Sequence, residues 1–449
     1  MAPNKRICNR TVLSLYRVIL CLPMVLLLLL LPVTASSMAL DEAISLAKEN
    51  LPSYKASLIR IKSTEALYKA ALGPYLPSLD VSTSQKRFYL SSGEFTSRDY
   101  GMNLSYTLFD GGKRRANRTI ALLNLSNDTE ESRKNLIDLE YNVKVAFYTV
   151  LAQQESLAQK KVQLQDAQKD YEVAGGRHKL GVARLSDVLQ ASVSLEQARF
   201  NLVQTEGALR KAFSDLNSLI GYSLDNQYDI QGSLDAGAKP PDRKSLSEAA
   251  MQRPEVKQAE NSLKISQNNK ELSLSAFYPV ISAEASYTKT GGSINSIGVS
   301  SPTAFGGGFT GFSPEEKIAA VTATWNIFEL GKFFRYTSSR LEKNISTENL
   351  QDVKRQLLLN VHKTYEDFMT TLDQLQVAHQ QLKQAEYNYS QAFGEYKVGK
   401  TDILSLVQAE NLLSTARDQL INSRLNLVLS RSLLEKTAGI RWASPSPKE

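Results

Sequence analysis

The sequence predicts a mainly α-helical fold with a membrane-type β portion, laid out twice along the chain. Three observations carry this. The chain aligns with itself over most of its length. Each half holds one very long stretch free of glycine and proline. Each half also holds a pair of short alternating segments with the length of membrane-crossing strands.

In order along the chain, residues 1–39 read as a secretory leader. Lys5, Arg6, Arg10 and Arg17 precede an apolar run that includes Leu26 to Leu31, and Thr34, Ala35, Ser36, Ser37 and Ala39 follow it. Basic, apolar and small segments in that order mark a signal peptide, with cleavage expected after Ala35 or Ala39. Both cysteines, Cys8 and Cys21, fall inside the leader. The mature chain therefore has neither disulfides nor thiolate ligands. Removing the four leader bases lowers the formal charge from +7 to +3, which takes away the main argument for nucleic-acid binding.

Residues 40–220 and 246–440 form the two repeats, with 221–245 as linker and 441–449 as tail. Pro52 matches Pro254 and Pro77 matches Pro279. Further on, Tyr171 matches Tyr389, Gly181 matches Gly399, Gln190-Ala191 matches Gln408-Ala409, and Gly221 matches Gly439. Neither glycine nor proline occurs from Lys113 to Ala174 or from Lys332 to Phe393. As helices these runs would each reach roughly 90 Å, far beyond ordinary globular helices.

Second helices are expected over 184–220 and 402–438, where heptad seams are plain. Val188, Leu195, Leu202, Leu209 and Leu216 run beside Ala191, Ala198, Thr205, Ala212 and Leu219. In the other half Leu406, Leu413, Leu420, Leu427 and Leu434 run beside Ala409, Ala416, Ser423, Ser430 and Thr437. A strict heptad implies left-handed supercoiling. Alternating large and small seams suit helices with neighbours on both sides, as in a closed palisade.

Strands are expected over 79–89, 100–109, 280–288 and 318–328, each about ten residues, as a tilted bilayer-crossing strand requires. A glycine-rich connection from Gly291 to Pro314 separates the last two. Four strands cannot close a membrane barrel, and open edges in lipid cost several kcal/mol per unpaired group, so three copies supplying twelve strands is the simplest solution.

Together with the motifs FDGGK and LGVARLSDVLQA, this order of parts resembles the TolC-like outer membrane channel family over essentially the whole mature chain. The resemblance implies a homotrimer whose α-helical barrel runs through the periplasm and continues into a 12-strand barrel in the outer membrane. It implies a passive exit duct for a tripartite efflux or type I secretion system. The partners would be a periplasmic adaptor (membrane fusion) protein and an inner-membrane pump or ATP-driven exporter.

The helix turns at 175–190 and 393–408 would form the periplasmic tip. By resemblance, Arg184, Asp187, Gln190, Tyr396, Ser405 and Gln408 line its gate, and Leu180, Gly181, Val182, Val398, Gly399 and Lys400 meet the adaptor. Gly181 and Gly399 also read as left-handed helix caps. Ser405 and Gln408 stand where well-studied members carry acids, so the expected entrance is polar and less cation-selective.

The barrel-to-tunnel junction is read twice, as Gly111, Gly112 and Lys113 and as Gly331 and Lys332. Lys113, Arg114, Arg115 and Arg118 either meet outer membrane lipid phosphates or lie solvated at the barrel rim. No cofactor or metal is expected, because His178, His362 and His379 lack ligand spacing. No nucleophile motif or phosphate loop points to catalysis. The competing class, a secreted or periplasmic coiled-coil structural or adhesive protein, explains the heptads but not the paired strands.

Overall fold

The computed structural model describes residues 38–90, 93–235, 240–295 and 315–441. The leader before Met38, the glycine-rich connection beyond Asn295, part of the linker and the tail beyond Arg441 lie outside the described residues. Two helices, α1 (Leu40–Asn50) and α2 (Pro52–Ala70), lead into strands β1 (Ser78–Leu90) and β2 (Gly93–Phe109). Then come the helices α3 (Lys113–Lys179) and α4 (Leu185–Ile220). The second half repeats the order as α5 (Arg243–Ala250), α6 (Pro254–Ser275), β3 (Val280–Asn295), β4 (Glu315–Thr324), α7 (Leu330–Lys397) and α8 (Ile403–Ala438).

The strands form one antiparallel sheet in the order β1-β2-β3-β4, so the β2–β3 pairing joins the halves. Register places Leu79, Leu104, Ala285 and Ala319 in one row across the sheet, and Val81, Met102 and Tyr287 in the next row of that face. The opposite face carries Ser78, Ser105 and Glu284, then Asp80, Asn103 and Ser286. Near the long helices period-two alternation thus yields one mainly apolar and one mainly polar face, the pattern of a membrane barrel wall, with Lys317 and Ile318 of β4 as exceptions and the Lys289–Glu315 pair ending the apolar stretch. Within the described residues β1 and β4 are its edges. One expectation needs correcting: the strand placed at 318–328 ends at Thr324, and Trp325–Glu329 leaves the ladder. There the Trp325 indole Nε1 donates to the Phe277 carbonyl at 3.0 Å.

The long helices α3 (67 residues) and α7 (68 residues) are the struts of the molecule, about 100 Å each at 1.5 Å per residue. Near the sheet they run beside α2 and α6; further out they run beside α4 and α8. The wall there has the order α4, α3, α8, α7. Each accompanying pair meets end to end. Asn50 Nδ2 donates to the Ile220 carbonyl at 2.8 Å below Gly221, while the Arg253 guanidinium donates to the Lys436 carbonyl below Gly439. Both glycines hold left-handed φ, +80° and +72°, and a Cβ on Gly221 would come within 2.7 Å of Asn50.

Two apolar cores lie at this level. Phe147, Val150, Leu216 and Ile220 anchor one, and Leu246, Val361, Phe368 and Leu434 the other. The linker at 221–245 belongs partly to the first core: Ile230 and Leu234 are buried in it, and a Cβ on Gly232 would touch Leu151. The heptad seams differ between halves for a geometric reason. All five leucines of the α8 seam are buried, because α8 packs on both α7 and α3. On α4, which packs mainly on α3 and only locally on α1 and α8, Val188, Leu202 and Leu209 are only half-buried.

Candidate functional site at the hairpin tips

At the end of the struts each hairpin closes in a five-residue turn, and both turns follow one backbone rule. At the first, Gly181 N–H donates to the His178 carbonyl and Val182 N–H to the Arg177 carbonyl. At the second, Gly399 N–H donates to Tyr396 and Lys400 N–H to Glu395. This double bond with a left-handed glycine (φ +74° and +83°) is a Schellman cap, which satisfies the last helical carbonyls. The turn is shorter than the expected 175–190. Gly175 and Gly176 remain helical, and so does Gly394, because tertiary packing outweighs about 1 kcal/mol of glycine penalty.

The predicted residues fall into three places. Leu180, Val182 and Val398 project into solvent at 80, 63 and 69% exposure, with Lys400 beside them. Arg184 begins α4 with an exposed side chain, Asp187 lies one turn on and is half-buried, and Gln190 and Gln408 are exposed. Ser405 is held by Asp402, which caps α8: the Asp402 Oδ1 accepts from Ser405 N–H at 3.0 Å and from its Oγ at 2.8 Å. These hydrogen bonds hold the Asp402 carboxyl below the usual range. The two tips therefore differ in charge at matching positions, Arg184 and Asp187 against Asp402 and Ser405.

Tyr396 is placed elsewhere than expected. It is fully buried among Ala174, Ala191, Ile403 and Leu406, away from any lining position. Arg177 reaches it from α3, donating to its carbonyl and lying 4.5 Å over its ring. One side chain of the first tip thus clasps the second.

Above this clasp a polar line runs from α3 to α7 and α8 of the other hairpin. Tyr389 OH donates to Asp170 Oδ1 at 3.3 Å, and Arg417 pairs with Asp166 at 3.4 Å. Burial, with the nearby Asp166 charge, pushes Asp170 up to about 6. Burial, then Asp170 and Asp166, push Glu410 up to about 7. Asp170 Oδ2 and the Tyr396 hydroxyl have no hydrogen-bond partner among the described residues. Sequence reading missed Arg177, Asp170 and Glu410. The available signal was a second heptad, Gln163, Asp170 and Arg177, in which polar groups occupy a core seam.

At the other end, the two junctions share sequence but not conformation. Gly111 and Gly112 take left-handed φ, +65° and +91°, and a Cβ on Gly111 would meet the Ser275 carbonyl at 2.8 Å. Gly331 instead lies inside the first turn of α7, after the extended Glu329. Asp110 supplies the anion that the start of α3 needs, accepting from Gly112 N–H at 3.1 Å and Arg114 N–H at 2.8 Å. Arg114 turns inward, bonding Asp110 and the carbonyls of Pro74, Thr107 and Leu108. It is a clamp on the strand end, so the expected basic cluster does not act as one group. Arg118 lies over Tyr68, and Lys332, expected as a junction residue, is buried with its Nζ donating to Asn326 O at 2.8 Å.

Among the described residues no helix is long and apolar enough to cross a membrane, and no group of three His, Cys, Asp or Glu side chains could hold a metal ion.

The outer membrane efflux protein family model matches residues 43–222 and 245–439, one match per repeat. The toluene efflux pump outer membrane protein TtgC of Pseudomonas putida is 24% identical over 415 residues, covering 90% of this chain and 83% of its own. The pyoverdine export outer membrane protein OpmQ of Pseudomonas aeruginosa is 24% identical over 432 residues, covering 90% and 86%. Among solved structures, CusC superposes with a TM-score of 0.77 at 19% identity, covering 90% of this chain and 92% of its own. The CmeC outer membrane channel of Campylobacter jejuni superposes with 0.74 at 17% identity, covering 89% and 85%.

Proposed function

This chain belongs to the outer membrane efflux protein family, and from that premise we propose that three copies form one passive duct through the outer membrane and periplasm. The observation that carries this is the sheet: four strands, one face mainly apolar and one mainly polar near the helices, with β1 and β4 as edges among the described residues. Edges in hydrocarbon must pair, and three sheets joined edge to edge give twelve strands. The α4 seam supports the same closure one level down, since Val188, Leu202 and Leu209 stay only half-buried among the described residues.

Export through a cleaved leader delivers the chain to the outer membrane. The duct itself performs no chemistry; an inner-membrane pump supplies the energy and a periplasmic adaptor joins the two. Leu180, Val182 and Val398 are the apolar knobs that an adaptor hairpin would bury, with Gly181 and Gly399 letting its backbone approach. Arg184, Asp187, Gln190, Ser405 and Gln408 border the entrance, and Tyr396 supports it from within the wall. That the relatives above serve toluene efflux and pyoverdine export favours small organic cargo over secreted protein.

Extraction from outer membranes is expected to give a heat-labile, detergent-resistant trimer. Disrupting the gene should raise retention of a fluorescent efflux dye several-fold. A periplasmic monomer with unchanged dye retention would contradict the reading.

A further inference from the structure

The leader admits two cleavage points, after Ala35 and after Ala39, and the fold distinguishes them. Met38 is only 4% exposed and packs in the core built by Ala43, Phe147 and Phe213. Its backbone makes a parallel bridge to Ile230: Met38 N–H donates to the Asp229 carbonyl at 2.9 Å, and Gln231 N–H donates to the Met38 carbonyl at 3.1 Å. Ala39 caps α1, accepting from Ala43 N–H at 3.0 Å. Cleavage after Ala39 would remove all of these and leave Asp229 and Gln231 with unpaired backbone groups beside a buried core. It would also free the segment that connects the two repeats, which Met38 holds in place.

Cleavage after Ser37 fails for another reason. It would make Met38 the chain terminus and bury a charged ammonium where the structure buries a neutral amide. Val33-Thr34-Ala35 puts alanine at the bond and a small aliphatic residue two positions before it, as leader peptidase substrates require. It also leaves two polar residues, Ser36 and Ser37, in the sequence between the new charged terminus and Met38.

Resting on the exported-channel reading above, we infer that processing occurs after Ala35, so that the mature chain begins at Ser36 and keeps Met38 as the first residue of its fold.

Intact-mass measurement and N-terminal sequencing of the protein extracted from outer membranes test this. A Ser36 start is expected. A Leu40 start in an assembled oligomer would overturn the inference and leave the channel reading standing; a Met1 start would overturn both. Ala35→Leu should accumulate unprocessed precursor at least tenfold. Ala39→Leu, at an exposed position, should be processed at the same bond with unchanged mature yield, and the reverse pattern would overturn the inference. Deleting Ser36 to Met38 should lower the yield of detergent-resistant oligomer several-fold, while unchanged yield would show that Met38 is dispensable.

Discussion

Two kinds of seam hold the helical wall together, one mainly apolar and one that adds a line of ion pairs. Inside each hairpin, α3 with α4 and α7 with α8, the contacts are leucine and small residues at heptad spacing: Leu195 with Ala198 and Ala167, Leu413 with Ala416 and Ala385. Between the hairpins, α3 meets α8 through ion pairs, Lys144–Glu435, Arg424–Glu155, Lys160–Asp418 and Arg417–Asp166 in order toward the tip, set between apolar contacts at Ile421 and at the tip cluster of Ala174, Ala191, Tyr396 and Ile403. Below them the line passes Tyr389–Asp170 and ends at Arg177 and Tyr396. Apolar burial is undirected and hard to separate, whereas an ionic seam depends on pH, and on salt at its exposed rungs. Each hairpin is thus expected to move as a unit, with the line between hairpins as the place where the tip would part.

Substitutions in the two seams should separate accordingly. Leu413→Asp, which puts a charge into a buried apolar seam, should abolish oligomer recovery from membranes; Leu413→Ala should cost about 2–5 kcal/mol and be visible as a lower oligomer melting temperature. Arg177→Ala leaves the hairpins intact but removes a charge-assisted bond and a cation–π contact, together about 2–3 kcal/mol, so conductance should rise several-fold while oligomer yield holds.

Acidity should act on the same seam with a smaller effect. A carboxyl whose folded pKa is raised holds its proton more tightly when packed. The packing that buries Asp170 and Glu410 is therefore favoured at low pH and loses that stabilisation as pH rises through about 6 to 7. Open probability should fall between pH 7.5 and 5.5, and the Asp170→Asn, Glu410→Gln double variant should flatten this response. Smallest of all, Arg424→Ala at a half-exposed rung should change stability by about 0–1 kcal/mol and leave conductance unchanged.

How much of this was legible in the sequence depended on which signal was being read. Apolar heptads and glycine-free runs located the four long helices, since burial of a periodic face is what forms them. The same reading stopped α3 at Ala174, because Gly175 and Gly176 normally break helices, and only tertiary packing carries α3 on to Lys179. The linker was read as connection because glycine and proline cluster there; Ile230 and Leu234, which pack it onto α3, are too sparse to form a period. The echo between LFDGGK and IFELGK suggested one turn used twice. Two left-handed glycines shape the first copy, while the second is an ordinary helix start. At the tip, the backbone caps at Gly181 and Gly399 followed from local chemistry, whereas Arg177, Asp170 and Glu410 depend on which helices become neighbours.

Bilayer conductance of the purified trimer tests the central claim most directly, with wild type, Arg177→Ala and Leu413→Ala measured side by side from pH 5.5 to 7.5. A duct that parts along its ionic seam predicts a nearly closed wild type that opens further as pH rises. Arg177→Ala should be open several-fold more, and Leu413→Ala less stable but equally closed. An Arg177→Ala channel as closed as wild type, beside a Leu413→Ala channel that opens, would place the moving line inside the hairpins and contradict the account.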